Sequence, residues 1–217
     1  MAARLGWLPL VVVAAWITPW SRSVSSSPQP MTTSVAIGLG ANLPSPAGAP
    51  LDTLVALRPQ LESLLHHWGG EGSRVHWSPL FRSAPVGGPP GQPDYLNAAL
   101  VAQVTIAPSL AAALELLDAL QQLELRFGRQ RLEHWGPRSL DLDLLWWNNL
   151  RCAHPALELP HPRWHQRGFV LAPLEAIERR LESPLPVPRG FASVSTLLAA
   201  SSDAAPRCVT PAPIGWP

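Results

Sequence analysis

The sequence predicts an α+β sandwich built on an antiparallel sheet, and three observations carry that expectation. From residue 34 to residue 147 the pattern reads strand, helix, strand, strand, helix, strand, the split βαβ order. Two stretches of helical period sit between the strands, each closed by glycine, at Gly69-Gly70 and at Gly128. The chain has 217 residues, 47% hydrophobic and 14% charged, which suits one soluble domain. The fold so specified is ferredoxin-like.

Taken in order, residues 1–30 hold a ten-residue apolar run, Leu8 to Ile17, and then a Ser/Pro-rich stretch. Ten apolar residues are too few to span a bilayer. Met31 stands just before the first strand, so translation from Met31, or a disordered leader over 1–30, is expected. The strand Ser34 to Leu39 runs into Gly38-Leu-Gly40-Ala-Asn42, half of a G-x-G-x-x-G. The third glycine is absent and Pro44, Pro46 and Pro50 delay the helix, which argues against a Rossmann site. Apolar residues at 51, 54, 57, 61, 64 and 65 give the first helix. Arg74 to Arg82 reads as a loosely alternating strand, and Val86 to Pro93 as a Gly/Pro loop of the kind that connects elements or closes over ligands.

The strand from Tyr95 to Ile106 puts Tyr95 and Asn97 on one face. They suit edge packing and a turn, or equally the stacking and edge recognition of a flat heterocycle. Pro108 is expected in the first turn of a helix to Phe127 whose stripe ends in Gln121 and Glu124. Gly128 to His134 is a polar loop with Arg129 and Arg131. Gly136-Pro137 then turn the chain into a strand from Leu140 onward. Asp141 and Asp143 share one face there, while Leu140, Leu142 and Leu144 take the core face. Two carboxylates about 6–7 Å apart on a rigid strand suit Mg²⁺, which completes its shell with substrate phosphates. Arg138 offers a planar fork for phosphate oxygens. Two solvated acids on an edge strand are the plainer reading of a lone D-x-D; the preceding G-P-R reverses the odds.

Charge narrows the chemistry. The net charge is +1, so neither nucleic acid nor a membrane surface is expected as partner. All sixteen basic residues are arginine, and a P-loop, which needs a lysine, is excluded. Seven of the arginines lie between Arg126 and Arg167, around the aspartate pair, an excess that suits a polyphosphate. Cys152 and Cys208 lack metal-type spacing and read as two free thiols of a reducing compartment, so a cytoplasmic location is expected. The stretch 183–217, with seven prolines, is expected as an irregular tail behind a domain over 31–182.

The segment W-G-P-R-S-L-D-L-D-L-L at 135–145 resembles the signature of the 6-hydroxymethyl-7,8-dihydropterin pyrophosphokinases of folate biosynthesis. Other matches follow in that family's order: V-A-I-G-L-G-A-N-L at 35–43, F-R-S-A-P-V-G at 81–87, Q-P-D-Y-L-N-A-A at 92–99, G-R-Q-R at 128–131 and L-P-H-P-R-W-H-Q-R-G-F at 159–169. The resemblance implies transfer of the β,γ-diphosphate of ATP to the pterin hydroxymethyl group, leaving AMP. It implies two Mg²⁺ held by Asp141 and Asp143, with Arg129 and Arg138 beside them in the catalytic set. It assigns ATP to Gln121, Glu124, Arg129, Arg131, Trp135, Arg138, His161 and Arg167. It assigns the pterin to Ser83, Ala84, Val86, Gly87, Tyr95, Asn97, Trp135 and Phe169. The loop at 128–134 would be a mobile lid, here at the short end of the family's lengths. Ala156 falls where a basic residue often contacts ATP. A monomer acting on small molecules is expected. Two other readings stand against this one: a single-strand nucleic-acid binder on the same fold, and a different Mg²⁺-nucleotide transferase.

Overall fold

The structure is a computed structural model that describes residues 32–130 and 136–217. The leader 1–30, Met31, Arg131 and Trp135 lie outside the described residues. In chain order the main elements are β1 (Thr33–Ala41), α1 (Pro50–Gly69), β2 (Arg74–Trp77), β3 (Phe81–Ser83), β4 (Tyr95–Val104), α2 (Leu110–Arg126) and β5 (Asp141–Trp147). After these come a short hairpin of β6 (Cys152–His154) and β7 (Leu157–Leu159), then α3 (Gly168–Leu181), α4 (Val194–Ala200) and β8 (Arg207–Cys208). The sheet runs β5-β1-β4-β3-β8, with β2 also on β4, and its named pairings are antiparallel. This is the ferredoxin-like order expected from the sequence: the first and penultimate strands of the split βαβ repeat are central.

Local chemistry explains the elements and the shifts from expectation. Helix α1 has Pro50 in its first turn, and the Asp52 carboxylate accepts the Ala49 N–H at 3.0 Å. Helix α2 starts at Leu110, two residues beyond the proline expected in its first turn. Ser109 is its cap, its hydroxyl accepting the Ala112 N–H at 3.2 Å, so Pro108 precedes the helix. The expected strand over 74–82 is two strands. Trp77 pairs with Leu100 and Phe81 with Asn97, so one extra residue is accommodated around Pro79, which has no N–H for the ladder.

Alternation along β1, β4 and β5 gives the sheet two apolar faces. Val35, Ile37, Leu100, Leu142 and Leu144 pack under α1 and α2, with Leu54, Leu61, Leu116 and Leu120. Ala36, Ala99, Val101, Leu145 and Trp146 pack with Val170, Leu171, Leu174 and Ile177 of α3. A register shift between Ala36 and Ile37 turns both Leu145 and Trp146 toward this second layer. Helix α3 is therefore a covering layer on this face of the sheet.

The stretch 183–217 departs from the expected irregular tail. Helix α4 is capped by Ser193 and packs on α3 through Val194, β8 extends the sheet beside β3, and Trp216 is buried. The Trp216 indole N–H donates to the Ser78 carbonyl at 2.9 Å, and its ring meets Trp77 edge-on at 5.3 Å. Prolines hid these elements because each element is short and lacks sustained period. No described helix is long and apolar enough to cross a membrane.

Candidate active site

Helix α3 covers only part of its sheet face, and the register shows why the remainder stays open. Across β4, β1 and β5, one row reads Val101, Ala36, Trp146 and lies under α3. The next rows read Ala99, Gly38, Asp143 and then Asn97, Gly40, Asp141. Two glycines on the central strand leave a floor without side chains. The Asn97 amide stands on one side of it and the aspartates on the other, roughly 10 Å apart at two strand spacings. A Cβ on Gly40 would stand 3.5 Å from Asn97 Oδ1, 3.7 Å from the Tyr95 ring and 4.0 Å from Asp141 Cβ. Above this floor lies a cavity of about 1000 Å³, ample for two small ligands side by side.

The cavity gathers most of the residues singled out from sequence. Ser83, Ala84, Val86, Gly87, Tyr95, Asn97 and Phe169 line it together with Arg129, Arg138, Asp141, Asp143, His161 and Arg167. Gln121 and Glu124 do not line it. They face a smaller recess of about 210 Å³ that shares Arg129, Asp143 and His161 with it and includes Ala156.

Each side chain is held by an identifiable partner. Asn97 Nδ2 donates to Ser83 Oγ at 2.9 Å, which leaves Oδ1 over the glycine floor as an acceptor. The Tyr95 hydroxyl donates to the Gly136 carbonyl at 3.3 Å, and burial raises its pKa. Asn42, which sequence reasoning passed over, fixes the turn before β5. Its Oδ1 accepts the Arg138 N–H at 2.7 Å, while its own N–H donates to the Arg138 carbonyl at 2.9 Å. Its Nδ2 reaches the Pro93 carbonyl at 3.1 Å, so one asparagine ties both loops that border the cavity. The available signal was an asparagine directly after the G-x-G strand.

The electrostatics centre on Asp141 and Asp143. Arg129 meets the Asp141 carboxylate at 2.7 Å, and Arg138 pairs with its other oxygen. Glu124, 2% exposed, pairs with Arg129 and accepts the Leu142 N–H at 2.7 Å. It thus anchors Arg129 to the middle of β5. Burial raises its pKa against the pull of Arg129. The Asp143 carboxylate has no hydrogen bond or ion pair among the described residues. Burial first, and the neighbouring Asp141 charge second, push its pKa up to about 7. His161 is shifted down, by burial and then by Arg163, so it is neutral near pH 7. Its Nδ1 accepts the Arg163 N–H at 3.3 Å, which leaves Nε2–H to donate.

These residues fit a divalent cation with hard oxygen ligands. A half-buried carboxylate without a side-chain partner sits two residues from another that is paired with two arginines. No group of three or more His, Cys, Asp or Glu able to hold a metal occurs among the described residues. A cation completed by substrate phosphates needs no third such ligand.

The Asp143 shift has a stability consequence. A carboxyl whose folded pKa lies above its unfolded value keeps a proton that the unfolded chain releases. Stability present below the unfolded pKa of 3.8 is therefore lost as pH rises toward 7. In metal-free protein the thermal midpoint is expected to fall by roughly 5 °C between about pH 4.5 and 7.5, relative to Asp143→Asn. Calorimetric scans of the two proteins check this. Parallel pH profiles would mean that Asp143 titrates as an ordinary exposed carboxylate.

Residues 36–179 match the model of the 7,8-dihydro-6-hydroxymethylpterin-pyrophosphokinase (HPPK) family. Among curated relatives, the 2-amino-4-hydroxy-6-hydroxymethyldihydropteridine pyrophosphokinase of Synechocystis is 39% identical over 141 residues, 65% of this chain and 64% of that protein. The enzyme of the same name from Haemophilus influenzae is 36% identical over 148 residues, 68% of this chain and 83% of its own. That from Pseudomonas aeruginosa is 37% identical over 152 residues, 69% of this chain and 83% of its own.

Proposed function

The chain belongs to the 7,8-dihydro-6-hydroxymethylpterin-pyrophosphokinase family, and from that premise we propose the reaction and the residues that perform it. The protein transfers the β,γ-diphosphate of ATP to the hydroxymethyl oxygen of 6-hydroxymethyl-7,8-dihydropterin, giving AMP and the pterin diphosphate. One observation carries the reading. A glycine floor in a single cavity has a pinned amide and aromatic rings on one side, and a carboxylate pair among arginines on the other. The smaller recess beside Gln121 and Glu124 takes the adenosine end of ATP.

The pterin lies on Gly38 and Gly40 beside Tyr95 and Phe169. Asn97 Oδ1, its amide oriented by Ser83, accepts from the 2-amino-4-oxo edge. Asp141 and Asp143 would hold two Mg²⁺, whose charge would offset that of the transferring phosphates. Arg129 and Arg138, paired with Asp141 in the free protein, offer planar donors to the phosphate oxygens beside that carboxylate. Arg167 and the neutral His161, through Nε2–H, add donors to the same charge. The hydroxymethyl oxygen forms its bond to the β-phosphorus as the bond from that phosphorus to the oxygen bridging to the α-phosphate breaks. AMP departs with that electron pair, and the hydroxyl proton passes to water. Positioning and electrostatics suffice, and no dedicated base is assigned. The free thiols Cys152 and Cys208 suit a reducing, cytoplasmic compartment.

Asn97→Ala separates the two halves of the site. Calorimetric titration is expected to show pterin affinity reduced by roughly two decades with Mg·ATP affinity within a factor of about three. Equal losses for both ligands would place Asn97 outside the pterin edge.

A further inference from the structure

Arg167 and Phe169, the two cavity residues at the start of α3, flank Gly168, and the chain around them lacks its own cap. Arg167 occupies the N-cap position with its side chain lining the cavity and making no capping bond. A helix normally satisfies its first N–H groups from Ser, Thr, Asp or Asn at that position. Here the acceptor comes from 35 residues downstream: the Gly168 N–H donates to Asp203 Oδ2 at 3.0 Å. The fit is close. A Cβ on Gly168 would stand 3.2 Å from Asp203 Cβ and 3.5 Å from Ser201 Oγ. Asp203 is itself rooted in α4. Its N–H donates to Ser201 Oγ at 3.3 Å, and the Ser201 N–H closes α4 on the Leu198 carbonyl at 3.1 Å. Helix α4 in turn packs on the apolar side of α3 through Val194, with Leu197 and Leu198 against the same cluster.

We propose that Asp203, in a segment beyond the family match that ends at residue 179, is a positioning residue for the pyrophosphokinase site. It fixes the first turn of α3 and so sets where the Arg167 guanidinium and the Phe169 ring stand in the cavity. The carboxylate is suited to this because it supplies both the missing acceptor and a negative charge at the positive end of the helix. What Arg167 and Phe169 touch rests on the functional reading above; that Asp203 holds them does not.

The test compares full-length wild type with Asp203→Ala, Asp203→Asn and Ser193→Ala, the last removing the cap of α4 away from the cavity. Asp203→Ala is expected to raise KM for ATP and for the pterin by roughly five- to tenfold with kcat within about twofold. It should also speed amide exchange at Gly168 and Phe169 by about tenfold. Asp203→Asn, which keeps an acceptor oxygen, should recover most of the loss. Ser193→Ala should lower thermal stability without moving either KM. Unchanged KM values in Asp203→Ala, or an equal rise in Ser193→Ala, would overturn the positioning role. If wild type turns over nothing, the functional reading falls alone. Exchange at Gly168 and Phe169 then decides for Asp203, and an unchanged rate in Asp203→Ala refutes it.

Discussion

Asp143→Ala is expected to lower turnover by about two to three decades, the loss of roughly 3–4 kcal/mol of transition-state charge stabilisation. The same change should leave the fold intact and, in metal-free protein near pH 8, raise the thermal midpoint. Asp143 is a half-buried carboxylate pushed up to about 7 by burial and by Asp141, with no ion-pair partner among the described residues, so its charge costs the free protein stability. A residue that harms the apo fold and serves turnover is what a cation ligand should be. Asp141→Ala should match it in turnover and differ in stability, because Arg129 and Arg138 would lose their shared carboxylate. Turnover by either variant within a factor of a few of wild type would remove the pair from the metal-binding role.

Gly40→Val is expected to reduce kcat/KM for the pterin by about two decades while Mg·ATP affinity stays within a factor of about three. The backbone of Gly40 lies in an ordinary strand between Asn97 and Asp141, where a branched residue is tolerated. A Cβ there meets protein atoms no closer than 3.5 Å, so the fold accepts it. The added methyl groups instead occupy the space above the floor on which the flat ring is proposed to lie. Steady-state kinetics with each substrate varied, beside an ATP titration, give both numbers. Equal loss of both substrates would mean that the ring does not rest on β1.

Much of this was legible in the sequence because the governing signals are local. Period 2 placed Asp141 and Asp143 opposite Leu142 and Leu144, and Gly128 closes α2 where a helix end was expected. What escaped depends on pairing across strands. Gly38 and Gly40 looked like a broken dinucleotide motif, and only their register beside Asn97, Asp141 and Asp143 makes them a floor. Asn42 has its three partners 51 and 96 residues away, a distance that no local pattern encodes. Glu124 was expected at the nucleotide; buried against Arg129 and the Leu142 N–H, it also holds the arginine in place. The segment 183–217 escaped because α4 and β8 are seven and two residues long, below the length at which periodicity can speak.

The central claim is that the β,γ-diphosphate moves as a unit, and nucleotide chromatography tests it most directly. A γ-phosphoryl kinase leaves ADP, and a chain without lysine lacks the residue that such enzymes use to cradle that phosphate. The protein is incubated with Mg²⁺, ATP and 6-hydroxymethyl-7,8-dihydropterin, and the nucleotides are resolved at successive times. AMP should accumulate in equal amount with a diphosphorylated pterin, and only when the pterin is present. ADP as the stoichiometric product, or AMP released without the pterin, would contradict the account.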